Sequence, residues 1–238
     1  TVRLGSVFNN IYYINQCDFL GLDEKVFVRG FPSDLTNVKI GYTFFNQEKR
    51  VVSNIGLWTK SPDVRAQDHI FYPELDVKQM GLKKLMVARN NYISYTVQNT
   101  SFHIDTLPAQ YEFPMSEKID SKGVFKIGRY DDILQGLILQ KVVSKMDDRI
   151  TFGPPQATHN RHPHDYGQDV VEEIFGDRLV RELLDNLGKI DIYGHDYYTL
   201  TSNLINKLKE CHFTFNDYFQ KVMDNFLLWL ELVDKVSN

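Results

Sequence analysis

Cysteine is scarce in this chain. Cys17 and Cys211 are the only two, too few and too far apart for a disulfide framework or a cysteine-based metal cluster. A reducing setting follows as the expectation, and with it a cytoplasmic location, or one peripheral to a secretory-pathway membrane in a eukaryote. Net charge is also small. Lys and Arg total 27 and Asp and Glu 31, a formal charge of −4. That balance speaks against a broad nucleic-acid or anionic-membrane footprint, though not against a local basic pocket for a phosphate. Long apolar runs are missing too. Phe226 to Leu230 is the longest candidate, far below the roughly 20 residues of a membrane span. Ready-made signatures are absent: there is no GxGxxG, Walker loop, GxSxG, HExxH or kinase set, and no Asp-x-Asp. Aromatic residues are plentiful, with 16 Phe, 13 Tyr and 2 Trp, and they exclude a disordered chain.

The pattern changes near residue 165. Before it, β-branched and aromatic runs bounded by Gly, Pro, Asn and Asp predict short strands at 7–14, 25–28, 38–45, 84–88 and 92–97. After it, the periodicity is helical. Val170, Val171, Ile174 and Phe175 are expected to share a face that Leu179, Val180, Leu183, Leu184 and Leu187 continue beyond Gly176. A last helix is expected over 217–235, capped by Asn216 or Asp217. The expected organisation is an α/β core over 1–165 and a helical C-terminal extension over 166–238.

Several residues offer chemistry. Asp131 and Asp132 stand where a loop enters an apolar-periodic helix. Such a pair serves as a base, a metal ligand or a hydroxyl acceptor, or else caps the helix and complements its dipole. Arg29 sits in a Gly-Pro turn after a strand-like run, placed to fork onto a phosphate or carboxylate, or to make a surface ion pair. Trp58 stacks on a sugar or base, or fills the core. Asp63 follows Pro62 as a turn residue or hydroxyl acceptor. His159, His162 and His164 fall in one short segment around Arg161, either ligands or a polar loop; Pro163 keeps it from being a helical two-His zinc pair.

Taken in order, these segments resemble a known family. Phe27-Val28-Arg29-Gly30-Phe31-Pro32 is close to an FVRGYP phrase. Gly56-Leu57-Trp58 through Pro62-Asp63 and Ala66 is close to GLWxxxPDxDA. Ile127 to Asp132 reads IGRYDD, Gly153 to His159 is close to GLPxxxH, and Asp217 to Asp234 is close to the family's C-terminal phrase. The family is the reversibly glycosylated polypeptides, or UDP-arabinopyranose mutases, of glycosyltransferase family 75. The likeness runs from about Tyr12 to the C-terminus. It departs at Thr96–Phe102, where the family's CGMNLAF keeps only Asn99 and Phe102. A second Arg after the turn falls near Thr36, and His162 and His164 have no counterpart.

The resemblance implies a GT-A-like fold, a Rossmann-like mixed sheet, and a UDP-sugar substrate with Mn²⁺ or Mg²⁺. It implies that Arg29 is reversibly glycosylated and that Asp131 and Asp132 are catalytic. It places Trp58, Asp63, Asn99 and Arg129 at the substrate and His159 on the metal. The activity expected is a glycosyltransferase or a mutase. The alternative is a non-catalytic binding subunit that completes an enzyme with another chain, in a homo- or hetero-oligomer. Set against the family, the chain matches its C-terminal two-thirds. A nucleotide-binding N-terminal part carrying Asp-x-Asp is then expected from a second segment or chain, covering a sheet edge otherwise left open.

Overall fold

The computed structural model describes residues 2–3, 12–38, 41–77, 84–115, 117–118, 126–163 and 165–237. The strand expected at 7–14 is therefore described only from Tyr12, and the one at 38–45 lacks 39 and 40; His164 also lies outside the described residues. The elements in chain order are β1 (Val2–Arg3), β2 (Tyr12–Ile14), β3 (Thr43–Phe44), β4 (Val51–Lys60), α1 (Ala66–Phe71), β5 (Leu85–Met86), β6 (Asn91–Ile93), β7 (Thr100–Phe102), α2 (Asp131–Lys145), β8 (Arg149–His159), α3 (Tyr166–Lys189), α4 (Tyr197–Lys209) and α5 (Asn216–Ser237). The class is mixed α/β with a mixed sheet.

The central sheet has the order β5-β8-β4-β7. Its long inner strands, β4 and β8, run parallel, while β5 and β7 pair antiparallel at the edges. Two smaller ladders join β2 to β6 in parallel and β1 to β3 antiparallel. Neither β4 nor β8 stands out as a strand by alternation. β4 is buried on both faces along most of its length, so its apolar residues do not alternate. β8 carries Pro154 and Pro155, which cannot donate to a ladder. The register absorbs them: Gly56 pairs Gly153, but Trp58 pairs Ala157, so the prolines fall in a bulge.

Two expected strands come out differently, for one reason. Residues 25–28 form no ladder, only an isolated bridge from Val28 to Val64. Side chains take the place of a neighbouring strand. The Asn15 amide donates to Val26 O at 2.9 Å and accepts from Val28 N at 3.0 Å, and Asp68 accepts from Phe27 N at 2.9 Å. Likewise β6 stops at Ile93, short of the expected 97. The Gln140 amide brackets Ile93 N and O at 2.8 and 3.0 Å, and the Gln16 amide brackets Ser94 N and O at 3.1 and 2.9 Å. Buried amide side chains imitate a strand edge where backbone satisfaction is obligatory.

Helix α2 is the hub. Apolar residues cover most of its circumference, Ile133, Leu134, Leu137, Ile138, Leu139, Val142 and Val143 all being buried, as expected of a helix enclosed on every side. It packs on β6 and β8 on one side and on α3 and α4 on the other. The apolar cluster is continuous from Tyr13 to Leu230, so 166–238 shares its core with the rest of the chain. Among the described residues no helix is long and apolar enough to cross a membrane.

α3 corrects one expectation. It is a single helix through Gly176, but its first turns do not bury the apolar face. Val171 and Ile174 are 49 % and 59 % exposed, while Asp169, Glu173 and Gly176 face inward. The inner stripe continues Val180, Leu183 and Leu187 backwards at heptad spacing onto two acids. What holds those acids inside is the site described next.

Candidate active-site cleft

The parallel strands β4 and β8 both run out, at their carboxyl ends, beside one cleft. Lys60, the last residue of β4, adopts a left-handed backbone with φ 64°. The chain turns there, and Ser61-Pro62 delivers Asp63. β8 ends at His159, with Arg161 just beyond. Crevices outside the carboxyl ends of parallel strands are where open α/β sheets take their ligands. This one has a volume of about 260 Å³ and is lined by Arg29, Asp63, Arg129, Asp131, Asp132, His159 and Arg161, with Val97, Gln98 and Met115.

Its floor is an ion triad. The turn at Val28–Phe31 is closed by Phe31 N to Val28 O at 3.0 Å and needs Gly30 at φ 81°. A Cβ on Gly30 would also strike Ile133 at 2.7 Å, so the turn sits directly on α2. Arg29 then reaches into the cleft floor, only 5 % exposed. All five of its N–H groups have acceptors. Nε donates to the Asp63 carboxylate at 3.0 and 3.2 Å. Nη2 donates to Asp63 Oδ2 at 3.0 Å and Asp132 Oδ2 at 3.2 Å. Nη1 donates to Asp132 Oδ1 at 3.3 Å and to the Arg129 carbonyl. Burial works against the charge on Arg29, but Asp63 and Asp132 outweigh it and raise its pKa well above the ordinary value. The same contest appears at Asp63: burial would raise its carboxyl, and Arg29 holds it below the usual range.

Arg129 supports this floor from a strained position. Its φ is 59°, uncommon for a side chain with a Cβ, and this turns its carbonyl onto Arg29. Its own guanidinium pairs with Asp169 and, at 3.4 Å, with Glu173. These are the acids that α3 turns inward. Glu173 also accepts from Ala66 N at 2.8 Å, tying α3 to the start of α1. Burial pushes the Glu173 carboxyl up to about 7, against the pull of Arg129 and the Ala66 N–H.

Asp131 and Asp132 occupy the first turn of α2. Neither acts as a side-chain N-cap: Tyr130 holds that position and makes no side-chain cap bond. The complement to the helix dipole remains. The two carboxylates diverge. Asp132 belongs to the triad, whereas Asp131 has no cation partner among the described residues. Burial first, then the Asp132 charge, raise the Asp131 carboxyl above the usual range. Glu112 is raised as well, by burial and then by Asp131 and Asp132. His159 donates its Nδ1–H to Ser61 O at 2.9 Å, which leaves Nε2 without a bond to that carbonyl. Arg161 lies over the Tyr166 ring at 5.2 Å, and burial and then Arg129 lower its pKa.

Six of the eight residues that the resemblance assigns to the site thus meet in the cleft, and His162 is not on its lining. Trp58 and Asn99 stand apart. Trp58 is 1 % exposed, packed in the core of β4. Strand β4 is buried on both faces there, which leaves its ring no surface to offer a sugar. Asn99 braces β4 from behind: its carbonyl accepts from Gly56 N at 2.8 Å, its amide donates to Leu57 O at 3.3 Å, and a Cβ on Gly56 would meet it at 2.3 Å. Arg161, Asp169 and Glu173 were the ones not singled out. For the two acids a signal existed, since they lie on the heptad stripe of Gly176, Val180 and Leu183.

Among the described residues no group of three or more His, Cys, Asp or Glu is arranged to hold a metal ion. Asp63 and Asp132 are committed to Arg29, which leaves His159 and Asp131 as the cleft's uncommitted ligand-type side chains. No protein-family model matches the chain, and no curated protein matches it.

Proposed function

We propose that this cleft is the reaction site of a UDP-sugar-dependent glycosyltransferase or sugar-nucleotide mutase on a GT-A-like core. The observation that carries the reading is the convergence of Arg29, Asp63, Arg129, Asp131, Asp132 and His159, from separate segments, at the carboxyl ends of two parallel strands. The chemistry fits sugar transfer. Breaking the bond from the anomeric carbon to the diphosphate leaves positive character on the sugar and negative charge on the leaving group. Asp132, held rigid by Arg29, stabilises the former. Asp131, uncommitted and raised, accepts or returns a hydroxyl proton. Two carboxyl groups in contrasting environments are suited to divided roles.

The implied Mn²⁺ or Mg²⁺ would offset the diphosphate charge. The described residues do not by themselves fit such an ion, and no step here depends on it. Further ligands would belong to the second segment or chain that the resemblance implies.

Covalent attachment at Arg29 is the self-glycosylating form of the reaction. Its balance is explicit. An Nη1 proton passes to Asp132, the freed lone pair attacks the anomeric carbon, and the carbon–oxygen bond to UDP breaks with UDP taking the electron pair. The raised pKa of Arg29 opposes the first step, so the neutral guanidine must form only with substrate in place. That same locking favours a second reading, a binding subunit that holds a sugar nucleotide without turning it over.

Asp131→Asn separates the two. It removes the proton carrier without touching the triad, so turnover should fall about 100-fold or more while the melting temperature stays near wild type. Binding of UDP-glucose by calorimetry with no turnover and no radiolabelled sugar on the wild-type chain would establish the binding-subunit reading instead.

A further inference from the structure

The cleft holds three arginines, and two are neutralised. Arg29 lies between Asp63 and Asp132, and Arg129 between Asp169 and Glu173. Arg161 is different. It has no ion pair among the described residues, and its Nη1 is buried without a hydrogen-bond partner. A buried guanidinium N–H normally finds an acceptor, and a planar fork of such groups matches an oxyanion. The Tyr166 ring supports it from one side.

Arg161 and Asp131 line the same cleft but come from different elements, Arg161 from just beyond the end of β8 and Asp131 from the first turn of α2. His159, the last residue of β8, lines it as well.

We propose that Arg161 is the phosphate-binding group of this cleft: it takes an oxygen of a phosphate or diphosphate ester and sets the rest of that ligand toward Asp131. The inference deepens the UDP-sugar reading and rests on it for the identity of the ester, but not for the phosphate. In transfer, Arg161 would meet the charge that gathers on the leaving diphosphate.

Calorimetric titration of the full chain tests it with three probes: UDP, inorganic pyrophosphate and uridine. Wild type, Arg161→Gln and Arg161→Lys are compared. Pyrophosphate and UDP affinity should fall at least tenfold in Arg161→Gln and be partly restored in Arg161→Lys, which keeps the charge without the fork. Any uridine affinity should not change. Folding is checked by thermal melting, where Arg161→Gln should be no less stable than wild type, since it removes a partly buried cation facing Arg129. Equal affinity in wild type and Arg161→Gln overturns the proposal. So does failure of wild type to bind either phosphate compound. Pyrophosphate binding that depends on Arg161, with no preference for UDP, keeps the phosphate site and removes the UDP-sugar reading.

Discussion

At the scale of single residues, Arg29 decides the character of the cleft. Its fork satisfies two buried carboxylates at once, and each would otherwise be an uncompensated charge in a poorly solvated place. The triad is weak evidence for net stability when intact, but breaking it is costly. Arg29→Gln should therefore destabilise the chain by about 3–5 kcal/mol, the usual cost of stranding a buried partner. Adding Asp63→Asn to that variant should recover part of the loss, because a stranded charge is then removed. Urea unfolding of the single and double variants measures both; a double variant less stable than Arg29→Gln would mean the residues act independently. Acid should expose the same dependence. The Asp63 pKa is held below its ordinary 3.8, so the stability it contributes is present above that value and is lost as pH falls through the folded-state value.

At the scale of elements, α3 is the one whose first turns serve the site before the core. Asp169 and Glu173 occupy an inward stripe that apolar residues hold one turn later, and the cost of burying them is visible at Glu173. Its folded-state pKa of about 7 lies above the ordinary 4.5. The folded chain therefore binds the proton more tightly than the unfolded one. The stability this group contributes is fully present below about pH 4.5, declines as pH rises to about 7, and is flat above. The change over that window is on the order of 3 kcal/mol. Glu173→Gln keeps an acceptor for Ala66 N and removes the titration. Urea unfolding between pH 5 and 8 should show wild type losing stability relative to the variant, with the two curves parallel above pH 7. A constant difference across the range would place the origin elsewhere.

The same helix shows where sequence reading works and where it stops. The leucine stripe from Leu179 to Leu187 and the α2 apolar pattern are legible because burial there follows hydrophobicity. In the first turns of α3 the stripe still points inward at Asp169 and Glu173, but hydrophobicity there points to Val171 and Ile174 instead, because an arginine from a distant loop, Arg129, draws the acids inside. Strand β8 is obscured by Pro154 and Pro155, which only a bulge makes tolerable, and residues 25–28 are extended but paired to side chains. Arg29, Asp63, Arg129, Asp131, Asp132 and His159 are legible as motifs. That Arg29 is locked by two of them, and that Arg161 is left over, depends on distances that no spacing contains.

At the scale of the molecule, the division near residue 165 is a change of secondary structure within one core. Helix α2 is buried all round only because α3 and α4 cover the side that β6 and β8 do not. α5 packs on α4 in turn, and Phe219, Met223 and Phe226 are buried with it. Ending the chain at residue 165 would uncover the outer face of α2 and strand Arg129 without Asp169 and Glu173. It would also remove Gly176, whose bare backbone lets the Tyr130 ring approach to within 2.3 Å of where a Cβ would stand. Tyr130 directly precedes Asp131, so the cleft and the core would fail together. Residues 1–165 alone should show no cooperative urea transition and no near-ultraviolet circular dichroism, and should bind a hydrophobic dye as a loosely packed chain does. A cooperative transition from that fragment would mean the helical segment is an addition to a self-sufficient core. In that case the Arg129 anchor, and with it the left-handed backbone that closes the triad, would have to be held by something other than α3.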